Sequence, residues 1–288
     1  MPYSKPDALV SAEWLFRHLN APDVRIVDAT YFMPSAGRNA REEYKERHIP
    51  GAVFFDIDEI ADTNSALPHM LPSPEKFSSR MRNMGLGDGN RIVIYDTHGM
   101  MSAARAWWMF RVFGHNDVAV LDGGLPQWLA EGRPVSDDPP MPRQRHFVAH
   151  FNHTLVRDVE QVTANIKNRR EQVVDARSVT RFEGAEDEPW IGRRRGHIPG
   201  SLNLPYNDFL HPESKLFLDQ DALVARIEAA GIDRNRPVIC SCGSGVTACV
   251  LALGLYLTGK SDVAVYDGSW AEWGLNENLP AEVGPVQS

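Results

Sequence analysis

The stretch Pro237-Val238-Ile239-Cys240-Ser241-Cys242-Gly243-Ser244-Gly245-Val246-Thr247, with the apolar run that continues to Gly259, decides the fold of this chain. Residues 237–241 are short and apolar, with β-branched side chains, which is typical of a buried strand in a parallel sheet. Residues 246–259 are long enough for a helix, and Gly259 is a suitable helix stop. The pattern therefore predicts strand, tight turn and buried helix, the repeating unit of an α/β fold.

Cys242 lies in this turn, where the predicted strand passes into the predicted helix. Backbone N–H groups converge at a helix start, and the positive end of the helix dipole stabilises anions there. A cysteine in this position suits a thiolate nucleophile that carries an anionic group. The alternative is a buried cysteine in an ordinary βα turn, but the close glycines Gly243 and Gly245 favour the reactive one. Cys240 and Cys249 lie in apolar runs and are expected to be small buried hydrophobic residues.

The composition is that of a globular protein with one large or two ordinary domains, because the 288 residues are 43% hydrophobic and 24% charged. The formal net charge of −8 argues against a broad nucleic-acid surface. No apolar run reaches about 18 residues and the chain start has no targeting pattern, so we expect no membrane contact. Three cysteines cannot all pair, and no Cys/His cluster has zinc spacing. We therefore expect no disulfide framework, no metal and a reducing, cytoplasmic location.

The chain repeats itself at a distance of about 146 residues. Each copy has a short apolar run that ends in Asp-Ala, a His-Ile-Pro-Gly box, and an Asp-Gly box followed by a tryptophan. The matched segments, in the same order, are 26–29 with 173–176, 48–52 with 197–201, and 117–124 with 262–269, followed by Trp128 and Trp273. We therefore predict two homologous α/β domains, residues 8–135 and 156–284, joined by a linker at 136–155 that is rich in proline and charge.

Each domain is predicted to be a parallel sheet with helices on both faces and right-handed crossovers. The predicted strands lie near 25–28, 52–55, 91–95 and 118–121 in the first copy, and near 172–175, 201–204, 237–241 and 263–266 in the second. The two copies differ at the cysteine position, because the first copy has Asp96 where the second has Cys242. The first domain is therefore expected to be catalytically silent and to contribute to a pocket between the domains.

Together the cysteine loop, the duplicated boxes and the linker resemble the tandem rhodanese-domain sulfurtransferases over nearly the whole chain. The loop 242–247 and the segment 103–111 are similar to the branch that uses 3-mercaptopyruvate. The branch that uses thiosulfate usually has basic residues in the loop, and this loop has none.

The resemblance implies a reaction in two steps and no organic cofactor. The Cys242 thiolate takes sulfur from 3-mercaptopyruvate, becomes a persulfide and releases pyruvate. A thiol, a thioredoxin-type protein or cyanide then accepts the sulfur. Thiosulfate as the donor, or a persulfide carrier loaded by another enzyme, are the alternatives.

The resemblance also assigns residues to the site. A Ser–His–Asp relay is matched by Ser244, His69 and Asp58, which would supply a proton to the departing enolate. The alternative is that His69 and Asp58 are ordinary polar loop residues. The other loop residues expected to bind the donor are Gly243, Gly245, Val246 and Thr247.

Arg181 matches a position at which the family binds the substrate. The family has a second arginine nine residues later, where this chain has Trp190. One possibility is that the triplet Arg193, Arg194 and Arg195 replaces that charge, although such a run is also typical of a solvated surface. Otherwise the carboxylate has fewer contacts, and one lost charge-assisted hydrogen bond costs about 1.5–3 kcal/mol.

A cysteine phosphatase is the alternative enzyme class. Those enzymes have a Cys-x5-Arg loop, in which the arginine clamps phosphate. The residue six positions after Cys242 is Ala248, so the sequence disfavours phosphatase chemistry.

Overall fold

The computed structural model describes residues 2–286, which form two domains of the same architecture. The first domain contains β1 (Leu9–Val10), α1 (Ala12–Arg17), β2 (Val24–Asp28), α2 (Ala40–Glu46), β3 (Val53–Phe54), α3 (Ile57–Ile60), α4 (Pro74–Asn83), β4 (Arg91–Tyr95), α5 (Ser102–Val112), β5 (Val118–Leu121) and α6 (Gly124–Ala130). The second contains β6 (Val156–Arg157), α7 (Val159–Asn168), β7 (Gln172–Asp175), α8 (Val179–Phe182), β8 (Leu202–Asn203), α9 (Gln220–Ala229), β9 (Val238–Ser241), α10 (Ala248–Leu257), β10 (Val263–Tyr266) and α11 (Ser269–Trp273). Short 3-10 helices lie at Pro6–Ala8, Pro34–Ala36, His153–Leu155 and Tyr206–Phe209.

The two sheets have equivalent strand orders, β1-β5-β4-β2-β3 and β6-β10-β9-β7-β8, and their strands pair in parallel. In the central strand β4, Ile92 and Ile94 belong to one apolar cluster, whereas Val93 and Tyr95 belong to another. Successive side chains of a strand point to opposite faces, so both faces of this sheet are covered. The predicted fold class is confirmed.

All eight predicted strands are present, although β3 and β8 are only two residues long. The sequence did not predict the edge strands β1 and β6. Each of these also has two residues, too few to show any periodicity.

The helices α5 and α10 follow the central strands of the two domains and pack against each other at the domain interface. The ring of Trp107 on α5 lies 5.5 Å from that of Tyr256 on α10, and one apolar core includes residues of both domains. The helix predicted after the cysteine loop ends as expected, because Gly259 has φ of +91°. Among residues 2–286, no helix combines the length and the apolar character needed to cross a membrane.

The segment predicted as a linker runs along the first domain. Phe147 is buried, and the backbone N–H groups of His150 and Asn152 donate to Phe113 O and Val112 O at 2.9 and 2.7 Å. The indole N–H of Trp108 on α5 also donates to Leu155 O at 3.1 Å. These bonds attach the connection to the C-terminal end of α5 and fix where the second domain begins.

Candidate active site

The cysteine loop connects β9 to α10 and is held by the start of α11. Cys242 is 1% exposed, and its N–H donates to the hydroxyl of Ser269 at 3.1 Å. The carbonyls of Cys242 and Gly243 accept from the N–H groups of Trp270 and Ala271 at 3.0 and 2.7 Å. Because α11 makes these bonds, the cysteine occupies a fixed position between two helix starts.

The two loop glycines are required by space. Gly245 has φ of +77°, and a Cβ there would lie 2.6 Å from Asp267 O. A Cβ at Gly243 would lie 2.7 Å from a guanidinium nitrogen of Arg181. The Arg181 guanidinium can approach the loop this closely only because residue 243 has no side chain.

The equivalent loop of the first domain shows what such a turn binds. There the buried carboxylate of Asp96 accepts from the N–H groups of His98, Met101 and Ala103 at 3.0, 2.8 and 2.8 Å. In the cysteine loop, by contrast, no backbone N–H of residues 243–248 donates a hydrogen bond to any acceptor within residues 2–286. The second domain therefore leaves unpaired the N–H groups of Ser244 and Thr247, whose counterparts His98 and Met101 hold an internal anion. The N–H of Cys249, the counterpart of Ala103, donates instead to Val246 O at 3.1 Å.

His69 and Asp58 are brought together by the first domain. The imidazole Nδ1 lies 2.8 Å from a carboxylate oxygen of Asp58, at ion-pair distance but without hydrogen-bond alignment. The His69 side chain is 1% exposed, and its Nε2 has no hydrogen-bond partner within residues 2–286. Its ring stands edge-on to Tyr31 and Trp190, with centroid distances of 4.7 and 5.9 Å. His69 thus presents an unpaired ring nitrogen inside an aromatic enclosure.

An apolar contact joins this enclosure to the cysteine loop. Val246 forms one buried cluster with Tyr31 and Ile57 of the first domain. Tyr31 therefore contacts the His69 ring and belongs to the apolar cluster that includes Val246 of the loop. Ser244 is buried in the loop, and its hydroxyl makes no hydrogen bond among the described residues. Thr247 is the N-cap residue of α10, but its side chain caps no N–H of that helix.

Arg181 belongs to a charge-balanced network beneath the loop. Its Nε donates to the buried carboxylate of Glu188 at 3.2 Å, and its Nη2 contacts the second oxygen. Arg177 donates to the same carboxylate and to Asp175, at 2.6 Å in each case. Two guanidinium groups thus face two carboxylates, so the charge that Arg181 offers to a ligand is largely compensated.

The arginine triplet is dispersed. Arg193 donates to Ala271 O at 2.9 Å, one hydrogen-bond step from the loop. The guanidinium of Arg194 donates to the carbonyls of Trp273, Asn276 and Leu279, so it supports the C-terminal segment. Arg195 pairs with an exposed carboxylate, that of Asp187, at 2.8 Å.

The other two cysteines have the buried character expected from the sequence. Burial raises the pKa of the Cys240 thiol well above its usual value, and it also raises that of Cys249. The Cys249 thiol donates to Gly245 O at 3.2 Å. Both thiols are therefore held protonated and unreactive at neutral pH. Within residues 2–286, no His, Cys, Asp and Glu side chains form a group of three or more suited to a metal ion.

Sequence reasoning missed three contributors to this site: Ser269, Glu188 and Arg105. For Ser269 the repeat held a signal, since the first copy has Gly124 at the same place and a Cβ there would lie 2.3 Å from Asp96 O. Arg105 gave no signal because its partner Asp267 lies in the other domain. Glu188 gave none because its spacing of 7 and 11 residues from Arg181 and Arg177 matches no regular pattern in this irregular segment.

Fold and site together define a tandem α/β protein with one cysteine in an open N–H ring and a histidine–aspartate pair from the other domain. A profile of the rhodanese-like domain matches residues 11–131 and 158–276. The chain therefore belongs to the rhodanese family, and it is a sulfurtransferase. The family resemblance read from the sequence is confirmed.

Named relatives cover most of the chain. It is 45% identical over 272 residues to the human 3-mercaptopyruvate sulfurtransferase, covering 92% of this chain and 91% of that protein. It is 44% identical over 273 residues to the rat thiosulfate sulfurtransferase, with coverages of 92% and 91%. The crystal structure of the 3-mercaptopyruvate sulfotransferase SseA from Escherichia coli matches with a TM-score of 0.84 at 39% identity, covering 91% of this chain and 98% of that one.

Proposed function

We propose that the protein transfers sulfur from 3-mercaptopyruvate to a thiol acceptor through a persulfide on Cys242. The relatives include enzymes named for either donor at nearly the same identity, so identity alone does not select the donor. The observation that carries the choice is the buried His69, which lies beside Asp58 with its Nε2 unpaired.

In the first step, the Cys242 thiolate attacks the sulfur of 3-mercaptopyruvate. An S–S bond forms and the C–S bond of the donor breaks, so the enzyme is left with a Cys–S–SH group. The electron pair of the broken bond stays on carbon as an enolate, which takes one proton to become pyruvate. His69 supplies that proton, and Asp58 holds the imidazole.

In the second step, the thiolate of the acceptor attacks the outer sulfur and the Cys242 thiolate is released. The open N–H groups of residues 243–248 and the start of α10 stabilise the thiolate and the persulfide anion. This stabilisation needs no cofactor. A small thiol, a thioredoxin-type protein or cyanide would serve as the acceptor.

The same features disfavour thiosulfate. Its leaving group, sulfite, departs as a stable anion and gains little from a proton donor, whereas an enolate requires one. The loop has no basic side chain, and the charge of Arg181 is compensated by Glu188. A dianionic donor therefore finds less positive charge than it requires, whereas a monocarboxylate requires less.

Arg181 is the residue that we assign to the donor carboxylate, because its guanidinium lies against Gly243. Trp190 stands edge-on to His69 and contributes an aromatic ring to the enclosure of its imidazole. Of the triplet, Arg193 is the member nearest to this position by its hydrogen bonds, and Arg194 and Arg195 are occupied elsewhere.

We also place the protein in a reducing compartment, the cytoplasm. All three cysteines are free and buried, and the reaction requires Cys242 as a thiolate.

The test compares pyruvate release from 3-mercaptopyruvate with thiocyanate formation from thiosulfate and cyanide, in wild type, Cys242→Ser and Cys249→Ser. We expect mercaptopyruvate turnover to dominate, to vanish in Cys242→Ser and to persist in Cys249→Ser. The intact mass should rise by one sulfur atom after donor addition without acceptor. A preference for thiosulfate would overturn the donor assignment, and no turnover with either would leave only a persulfide carrier.

A further inference from the structure

The proposed reaction divides its machinery between two domains. The nucleophile Cys242 lies in the second domain, whereas His69 lies in a segment of the first domain, residues 67–72, that reaches across the interface. A misplacement of about 1 Å between reacting groups can reduce a rate by about a hundredfold. A defined contact must therefore hold this segment, here called the histidine segment, against the cysteine loop.

Arg105 makes that contact. It lies on α5, its side chain is fully buried, and its guanidinium is stacked 4.5 Å from the ring of Trp108. Nη2 donates to the carbonyl of His69 at 2.5 Å, and Nη1 donates to the carbonyl of Gly245 at 3.3 Å. One planar guanidinium thus bonds to the histidine segment and to the cysteine loop at the same time.

Asp267 completes the connection from the second domain. Its Oδ1 lies 2.7 Å from Nη2 of Arg105, and its Oδ2 accepts the N–H of Leu71 at 2.8 Å. The carboxylate of Asp267 is nearly buried, and the positive charge of Arg105 compensates its negative charge. His69 itself has φ of +59°, a backbone conformation that persists only where its surroundings impose it.

The pseudo-symmetry of the molecule supplies an internal comparison. In the silent half, Asp122 takes the place of Asp267 and accepts the N–H of Phe217 at 2.9 Å, and Lys215 has φ of +59° as His69 does. The position of Arg105, the fourth residue of α5, is occupied by Leu251 in α10. An aspartate therefore holds the crossing segment in both cases, but only the segment that contains His69 is also bonded by an arginine.

We propose that Arg105 is a positioning residue that sets His69 in register with the Cys242 loop, an inference that rests on the proposed role of His69 as the proton donor. It acts through two backbone carbonyls and Asp267, and it does not touch the substrate. Its contribution should therefore appear only in a step that needs the proton of His69.

Arg111 provides a matched control. It lies on the same helix at the same interface, and its guanidinium stacks 4.0 Å above the ring of Tyr256, without a hydrogen bond to the loop. If Arg105 only joined the domains, replacement of either arginine would affect catalysis alike.

The experiment is a double-mutant cycle of Arg105→Lys with His69→Asn, with Arg111→Met as the control, on the full-length protein. Arg105→Lys keeps a positive charge beside Asp267, but it replaces the planar fork that bonds to both carbonyls with donors on a single ammonium nitrogen. We expect pyruvate formation to fall by about a hundredfold in either single variant and to fall little further in the double variant. Transfer from thiosulfate to cyanide, which needs no proton for its leaving group, should change by less than about fivefold. Arg111→Met should leave both rates within about twofold.

A second readout does not depend on turnover. Hydrogen exchange of the histidine segment, above all of the Leu71 amide, should accelerate in Arg105→Lys and not in Arg111→Met. Multiplicative losses in the double variant, or equal losses with both donors, would overturn the proposal. Failure of the proposed function is distinguished from this, because wild type would then release no pyruvate while the difference in exchange would remain.

Discussion

Replacement of Asp96 by asparagine tests whether the silent domain is stabilised by an internal anion. The carboxylate is fully buried at the position of Cys242, and it accepts three backbone N–H groups. One oxygen accepts from His98, and the other accepts from Met101 and Ala103. Asparagine keeps the shape of the side chain but offers only one accepting oxygen.

The expected loss follows from these bonds. Whichever way the amide is turned, at least one N–H faces an NH₂ group, and a buried donor without a partner costs about 1–3 kcal/mol. The bonds that remain lose the charge of the acceptor, which reduces each by about 1 kcal/mol. Relief of the desolvation of the carboxylate offsets part of this sum, and we expect a net destabilisation of about 3 kcal/mol.

Thermal unfolding by calorimetry measures this loss. At about 2–4 °C per kcal/mol, the midpoint should fall by about 6–12 °C. The control is Asp137→Asn, an exposed aspartate, for which a change below about 0.5 kcal/mol is expected. At 25 °C, pyruvate formation by Asp96→Asn should stay within about twofold of wild type. A destabilisation below about 1 kcal/mol would refute the reasoning that these N–H groups require an anion.

Two further predictions concern Asp122 and Trp190. Burial raises the pKa of Asp122 to about 6, above the unfolded value near 3.9, so the folded protein binds this proton more tightly and loses stability as the pH rises from about 4 to about 6. Asp122→Asn keeps an acceptor for the N–H of Phe217, so it should be more stable than wild type by about 2–3 kcal/mol at pH 7 and equal to it near pH 4. Urea denaturation at the two pH values measures this difference. An equal gain at both would contradict the raised pKa of Asp122. Trp190→Arg should lower KM for 3-mercaptopyruvate by about 10- to 100-fold, because it adds one charge-assisted hydrogen bond to the donor carboxylate. The control Ile191→Arg adds the same charge at a neighbour that is 94% exposed, and it should leave KM unchanged. An equal response of the two variants would show a general charge effect.

Much of the architecture was predictable because the sequence contains the same structural unit twice. The strands that end in Asp28 and Asp175 and the two Asp-Gly boxes supported each other, so the strands of both sheets could be assigned from apolar runs of four or five residues. The edge strands β1 and β6 could not, since pairing with β5 and β10, rather than any local pattern, makes them strands.

The site was predictable to the extent that its chemistry is local. Cys242 and its glycines lie in one loop, and their sequence indicates both the turn and the nucleophile. The proximity of His69 to Asp58 came only from resemblance, because the irregular chain of residues 61–68 between α3 and His69 leaves their distance open. The pairing of Arg181 with Glu188 likewise depends on a buried network, which no spacing in the sequence indicates.

The two domains differ in what occupies the ring of N–H groups after their central strand. In each, a central strand ends in a ring of N–H groups at a helix start, which is favourable only when an anion fills it. The first domain fills the ring with its own Asp96. In the second, residues 243–248 keep their N–H groups unpaired in a loop that is almost wholly buried. Such groups reduce stability unless a thiolate, a persulfide or a bound donor takes the place of the carboxylate. The turn of the silent domain is therefore the more stable of the two. The exchange of Asp96 for Cys242 is what distinguishes this structural turn from the catalytic loop.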